Sequence, residues 1–122
     1  METRSGNQIF VAQDATIDDK VTLGRGTKVW GLAHIREGAT FGASCVVGRG
    51  SYVGPGVIVG DNVKIQNNAL VYEPAILGNG VFIGPGATLT NDSFPRAINP
   101  NGDAKSAADW DPVGVVIEAG AS

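Results

Sequence analysis

From Val11 onward, every sixth residue is apolar: Val11, Ile17, Leu23, Val29, Ile35, Phe41, Val47, Val53, Val59, Ile65, Val71, Leu77, Ile83 and Leu89. With 43% of the chain hydrophobic, fourteen hits without a miss have a chance probability on the order of 10⁻⁵. Two positions earlier the residue is small or β-branched, as at Ala15, Val21, Thr27, Ala33, Ala39, Cys45, Ser51, Val57, Val63, Ala69, Ala75, Val81 and Ala87. The position after the apolar residue is often glycine: Gly24, Gly42, Gly48, Gly54, Gly60, Gly78 and Gly84. Glycine reaches 18 of 122 residues, about twice the usual share of roughly 7%.

A period of six fits neither common element. On an α-helix, steps of six residues scatter the apolar side chains around the axis. A hairpin sheet would alternate strictly, and this chain does not. A three-sided coil satisfies the pattern, with one short strand and one corner per hexapeptide and 18 residues per turn. The large side chain points inward beside the small one, and glycine supplies either the positive φ or the close approach that a corner demands. Coils then stack at the inter-strand spacing of about 4.8 Å. The expected fold is all-β, a single-stranded left-handed parallel β-helix of hexapeptide repeats. It should comprise a lead-in over residues 1–10, coils over 11–90, an inserted loop over 91–112 and the start of a further coil over 113–122. The loop is polar, carries three prolines in NDSFPRAINPNGDAKSAADWDP and has no hexad phase; a short helical turn within AKSAADW is weakly signalled. Long ordered loops on compact scaffolds usually carry function.

Composition excludes several functions. Nine Lys and Arg against twelve Asp and Glu give a net charge of −3. With no basic run, neither nucleic acid nor an anionic membrane is an expected partner. The N-terminal METRSGNQIF lacks the apolar core of a signal peptide, and no apolar stretch approaches membrane-spanning length. A single cysteine, Cys45, allows no intrachain disulfide and suits a reducing cytoplasm. Cys45 falls at an inward small position, where a packed thiol is expected.

Column counting brings distant residues together. Glu37, Pro55, Glu73 and Asn91 are spaced 18 apart on one corner, so Glu73 should lie one coil, about 5 Å, from Asn91. Asn67 and Asn68 occupy the corner at the other end of the same strand, and His34 lies two coils earlier on that face. Lys64-Ile65-Gln66-Asn67-Asn68 replaces the glycine after the inward residue with Gln and adds two amides, and Val71-Tyr72-Glu73 again lacks that glycine. Plain structural roles are open for each: amides can satisfy corner backbone groups, Tyr72 can be a surface or subunit contact, and His34 can be a solvated imidazole. Trp30 is expected against another subunit or a ligand.

The motifs KIQNNALVYE (64–73) and LTNDSFPRA (89–97), with KVWGLAHI (28–35) upstream, resemble the hexapeptide-repeat N-acetyltransferases acting on nucleotide-linked amino sugars. The closest likeness is to the subgroup acetylating the 3-amino group of UDP-2-acetamido-3-amino-glucuronate or related sugars. The resemblance implies a homotrimer, acetyl-CoA as donor and active sites in clefts between neighbouring columns. It places Asn91 beside the sugar amine, and Gln66, Asn67, Asn68, Tyr72, Glu73 and Arg96 around the nucleotide-sugar. His34 is the one candidate imidazole base; Glu73 or the departing CoA sulfur are the alternatives for the proton. No metal is expected. Gly31 stands where these enzymes usually carry a first histidine. Such enzymes also continue through further coils that help hold the donor, so the chain is expected to be C-terminally short. That leaves a second reading, a non-catalytic trimeric solenoid that binds nucleotide-sugar or only assembles. A carbonic anhydrase of this architecture needs three histidines per zinc, and this chain has one.

Overall fold

The computed structural model describes residues 8–122; residues 1–7, most of the expected lead-in, lie outside the described residues. Two-residue strands recur every six residues from Phe10–Val11 to Thr88–Leu89, and one more follows at Val116–Ile117. In each, the second residue turns inward. They form three five-stranded parallel sheets, the three sides of the column. Coiling begins at Phe10, one residue before the expected boundary.

Register follows the 18-residue spacing. Val29, Val47, Ile65 and Ile83 stand over one another on one side. Ile35, Val53, Val71 and Leu89 do so on the second, and Leu23, Phe41, Val59 and Leu77 on the third. Rungs are joined by backbone bonds such as Lys28 N to Cys45 O at 2.9 Å and Trp30 N to Val47 O at 2.9 Å. The inward residues from Val29 to Ile83 are all buried, as are the small ones between them. Removing each large aliphatic side chain from water contributes about 1.5–3 kcal/mol, so the core is a continuous stack. Cys45 is fully buried, and its thiol donates to Gly60 O at 3.1 Å. Burial pushes that thiol up from its ordinary value.

The two uses of glycine separate cleanly. Where φ is positive in the coils it falls three residues after an inward side chain, at Gly26, Gly38, Gly50, Gly56, Gly80 and Gly86, and also at Lys20, Leu32, Ser44, Asn62 and Asn68. The glycines immediately after the inward residue have no such φ. What they supply is room: a Cβ on Gly24 would lie 2.3 Å from the Gly42 carbonyl carbon of the next rung. Pro74 stands three residues after the inward Val71 without a positive φ, and the Glu73–Pro74 peptide is cis.

After Leu89 the chain leaves the column and returns at Val116–Ile117, where Ile117 stands over Leu77. That pair is 40 residues apart instead of 18, so 22 residues are inserted, the length of 91–112. The loop carries a bridge between Ile98 and Ala104 and a short 3-10 turn over Ala107–Asp109. Ser106 opens this turn with a capping box to Asp109. Trp30 tilts against Phe10 with ring centroids 5.1 Å apart and stays 45% exposed.

Candidate functional site

The base of the inserted loop is tied to one corner of the column. Asn91 Nδ2 donates to Glu73 O, one rung below, at 2.5 Å. A carbonyl oxygen only accepts, so the amide nitrogen must face it and Asn91 Oδ1 is left for another donor. The returning strand closes the loop, with Val113 N donating to Asn91 O at 2.8 Å. Next to it, Gly114 crosses so near the corner that a Cβ there would lie 1.2 Å from Pro74 O. Only glycine fits that crossing.

Glu73 itself folds back over the column. A Cβ on Gly54, a rung lower, would meet Glu73 Oε1 at 2.3 Å. Glu73 Oε1 is buried and has no hydrogen-bond partner. A carboxylate oxygen without a donor is costly in such a place. Beside this corner, Tyr72, Thr90, Asn91, Asp92 and Pro95 line a cavity of about 270 Å³.

The side of the column that carries His34 leads to this cavity. His34 Nε2 meets Asp18 Oδ1 at 3.0 Å. The carboxylate accepts, which puts a proton on Nε2, and in the neutral imidazole Nδ1 then keeps its lone pair. Arg36 Nε donates to Asp18 Oδ2 at 3.1 Å and to Glu37 Oε1 at 3.0 Å, and Arg36 Nη1 donates to the Tyr52 hydroxyl at 3.0 Å. The His34 hydrogen bond, together with the hydrogen bond and charge of Arg36, holds the Asp18 carboxyl below the ordinary carboxylate range. The Tyr52 hydroxyl and then Glu37 raise the Arg36 guanidinium further above its usual value. The His34 and Tyr52 rings meet edge-on at 6.0 Å, and Tyr52 tilts against Tyr72 at 5.2 Å. Three rings on three successive rungs therefore connect His34 to the mouth of the Asn91 cavity.

Of the residues singled out in the sequence, the fold brings Tyr72, Glu73 and Asn91 together. His34 lies two rungs from Tyr72 and Glu73 and three from Asn91, about 10 and 14 Å at the usual spacing. Asn67 is used at its own corner, where Oδ1 accepts from Arg49 N at 2.9 Å. Asp61 and Asn79 play the same part toward Ala43 N and Asp61 N, each at 2.8 Å. Asn68 holds a positive φ of 62°, and Gln66 is half-buried; both stay at the corner opposite Glu73. Arg96 projects from the loop, with Nη1 on Pro95 O at 2.8 Å. Asp18, Arg36 and Tyr52 were not marked by the sequence reading. The signal was present, because Asp18 and Arg36, and His34 and Tyr52, are spaced 18 apart.

Among the described residues, no group of three or more His, Cys, Asp or Glu side chains is arranged to hold a metal ion. No helix among them is long and apolar enough to cross a membrane. Residues 56–91, the last six hexads before the loop, match the family model described as bacterial transferase hexapeptide (six repeats). Together with the coil geometry, this match supports a hexapeptide-repeat protein of transferase type. No curated protein matches the chain.

Proposed function

We propose that the chain transfers an acetyl group from acetyl-CoA to the amine of a nucleotide-linked amino sugar. In this reading it works in the cytoplasm as a homotrimer, with sites along the clefts between columns. One observation carries it. Where the loop meets the column, a fixed amide (Asn91) lines a cavity of about 270 Å³ and is tied to Glu73, whose carboxylate oxygen is buried without a donor.

The chemistry needs a neutral amine, oriented and held next to a thioester. Asn91 Oδ1, free once Nδ2 is engaged, accepts one N–H of the amine and directs the nitrogen lone pair at the acyl carbon. A C–N bond forms, the C–S bond breaks, and its electron pair leaves on the CoA sulfur. The proton lost from nitrogen passes to the Glu73 carboxylate or to the departing thiolate. An amide is no strong base, so Asn91 positions the amine rather than deprotonating it. His34 Nδ1 serves as base for an acceptor laid along the ring-bearing side of the column. Gln66, Asn67, Asn68 and Arg96 then contact ligand across the cleft or from the loop.

The non-catalytic reading, a solenoid that binds nucleotide-sugar or only assembles, is favoured by how the other polar groups are used. Asn67 holds the Arg49 amide and His34 holds Asp18, so of the residues singled out in the sequence only Tyr72 and Asn91 line the cavity, with Glu73 bonded to Asn91 beside it. The deciding assay measures acetyl transfer from acetyl-CoA to a panel of UDP- and dTDP-linked amino sugars, with Asn91→Ala in parallel. Turnover by the parent chain that falls by roughly two orders of magnitude in the variant is expected, the scale of losing one positioning group. No turnover by the parent supports the binding solenoid, and full turnover by the variant overturns the role given to Asn91.

A further inference from the structure

The outward residues of the third side stand in register as one column: Thr22, Thr40, Ile58, Ile76 and Val116. All five are β-branched and none is ionisable. The other two outward columns carry charged or titratable groups, Lys28 and Lys64 on the first side and His34 and Tyr52 on the second. Three successive rungs of the third side are aliphatic and open: Ile58 is 51% exposed, Ile76 45% and Val116 65%. Val113, at 57%, extends the stripe toward the loop. Contiguous exposed aliphatic surface marks a contact, because covering it removes apolar area from water.

Charge selects the occupant. Copies arranged about a symmetry axis bring a side against its own equivalent. Packed that way, the first side would set Lys28 and Lys64 of one copy near those of the next, and neither lysine has an ion-pair partner among the described residues. On the second side, His34 and Arg36 are already committed to Asp18. The third side alone meets its equivalent without like charges, and its rungs repeat at the same height in every copy.

We infer that copies of this chain pack through the third side, with Ile58, Ile76 and Val116 next to the assembly axis. The threefold order of that assembly rests on the homotrimer of the acyl-transfer reading; the choice of side does not. About an axis parallel to the column, one edge of the third side meets the opposite edge in the next copy at equal height. The first edge holds Glu73 and Asn91, with Val113 N bonded to Asn91 O. The opposite edge holds Asn79 in the coil of Glu73 and Glu118 in the coil of Asn91. Glu118 is exposed and forms no ion pair among the described residues. A neighbouring copy therefore walls the cavity lined by Tyr72 and Asn91 and brings its Glu118 to that wall. Gln66, Asn67 and Asn68 lie at the corner between the first and second sides, so ligand contact from them across the cleft requires the second side to pack instead.

Light scattering of the full chain reads the assembled mass against 12.5 kDa for one copy. Ile76→Lys sets one charge per copy beside the axis, and Leu70→Lys does the same on the second side of the same coil. Circular dichroism confirms that each is folded. The parent should have about three times the single-chain mass, Ile76→Lys the single-chain mass, and Leu70→Lys the parent's. Ile76→Cys supplies a second reading: oxidation with copper phenanthroline should join copies in pairs through a disulfide, while the buried Cys45 of the parent stays unjoined. If Ile76→Lys does not fold, this cross-link decides alone. A monomeric parent, a folded Ile76→Lys at the parent's mass, no cross-link in Ile76→Cys, or dissociation by Leu70→Lys overturns the inference. A parent of twice the single-chain mass with the same responses keeps the side and defeats only the threefold order. Ile76→Lys should also lose acetyl transfer by roughly a hundredfold, the scale of a misplaced site, and full turnover by that monomer would remove the neighbour from the cavity. Assembly through the third side without acetyl transfer by the parent defeats only the acyl-transfer reading.

Discussion

Gly54 and Gly84 both follow an inward residue directly, yet the fold makes them unequal. At Gly54 an added Cβ would meet Glu73 Oε1 at 2.3 Å, Glu73 N at 2.8 Å and Glu73 Cβ at 3.2 Å. The carboxylate can swing away, but the amide nitrogen moves only if the rung moves. Overpacking of this kind costs about 1–3 kcal/mol. At Gly84 nothing lies within 4 Å and φ is not positive, so alanine fits and removes unfolded-state entropy, a gain of about 0.4–1 kcal/mol. Gly56 isolates the third effect: its surroundings are open but φ is +68°, and a left-handed L-residue costs about 1–2 kcal/mol. Urea unfolding of the three alanine variants reads these directly. With a slope of about 1–3 kcal/mol per molar urea, Gly54→Ala should unfold at roughly 1 M less denaturant than Gly84→Ala, with Gly56→Ala between them. Gly54→Ala should also depress acetyl transfer by displacing Glu73, and Gly56→Ala should not. Equal midpoints for Gly54→Ala and Gly84→Ala would refute the claim that Glu73 packs across Gly54.

Cys45 is buried against Gly60 O with its thiol held up. A maleimide reagent should therefore leave it unlabelled over about an hour in native buffer and label it fully in denaturant; native labelling would contradict an inward Cys45. Asp109 is held below the ordinary carboxyl range first by the Ser106 backbone bond and then by Asn99 and the Ser106 hydroxyl. A depressed folded value means its support of the loop is complete above the ordinary value near 4 and is lost as pH falls through the lower folded value. Amide exchange over residues 97–109, measured relative to the Ile65 rung, should accelerate between pH 6 and pH 3. Asp109→Asn should abolish that difference, and an unchanged ratio in the parent chain would count against the capping role.

The coil was legible because one constraint repeats. Each hexapeptide must place one large side chain inward, and after the 22-residue insertion, which shifts the six-residue phase, the coil resumes with Ile117 over Leu77. The same 18-residue rule located Glu73 beneath Asn91. Other features depend on path rather than period. Nothing in VGVV marks Gly114 as the residue that grazes Pro74 O, since that contact exists only once the loop has returned. The glycine pattern drew attention to the position after the inward residue, whereas positive φ falls two positions further on and is carried there by Leu32 and Lys20 as well as by glycine. Asp18, Arg36 and Tyr52 look like ordinary outward residues in the sequence; they form a network only because neighbouring rungs bring their side chains within 3.0–3.1 Å. Asn67 shows the reverse: an amide that stands out in the sequence is used to satisfy a backbone N–H at its own corner.

The most direct test is a crystal structure of the chain grown with CoA and a UDP-linked amino sugar. The account predicts the sugar amine within about 3 Å of Asn91 Oδ1, hydrogen-bonding distance, with Glu73 on its other side. A sugar bound instead at the Asn67–Asn68 corner, with the cavity beside Tyr72 and Asn91 left to solvent, would contradict it.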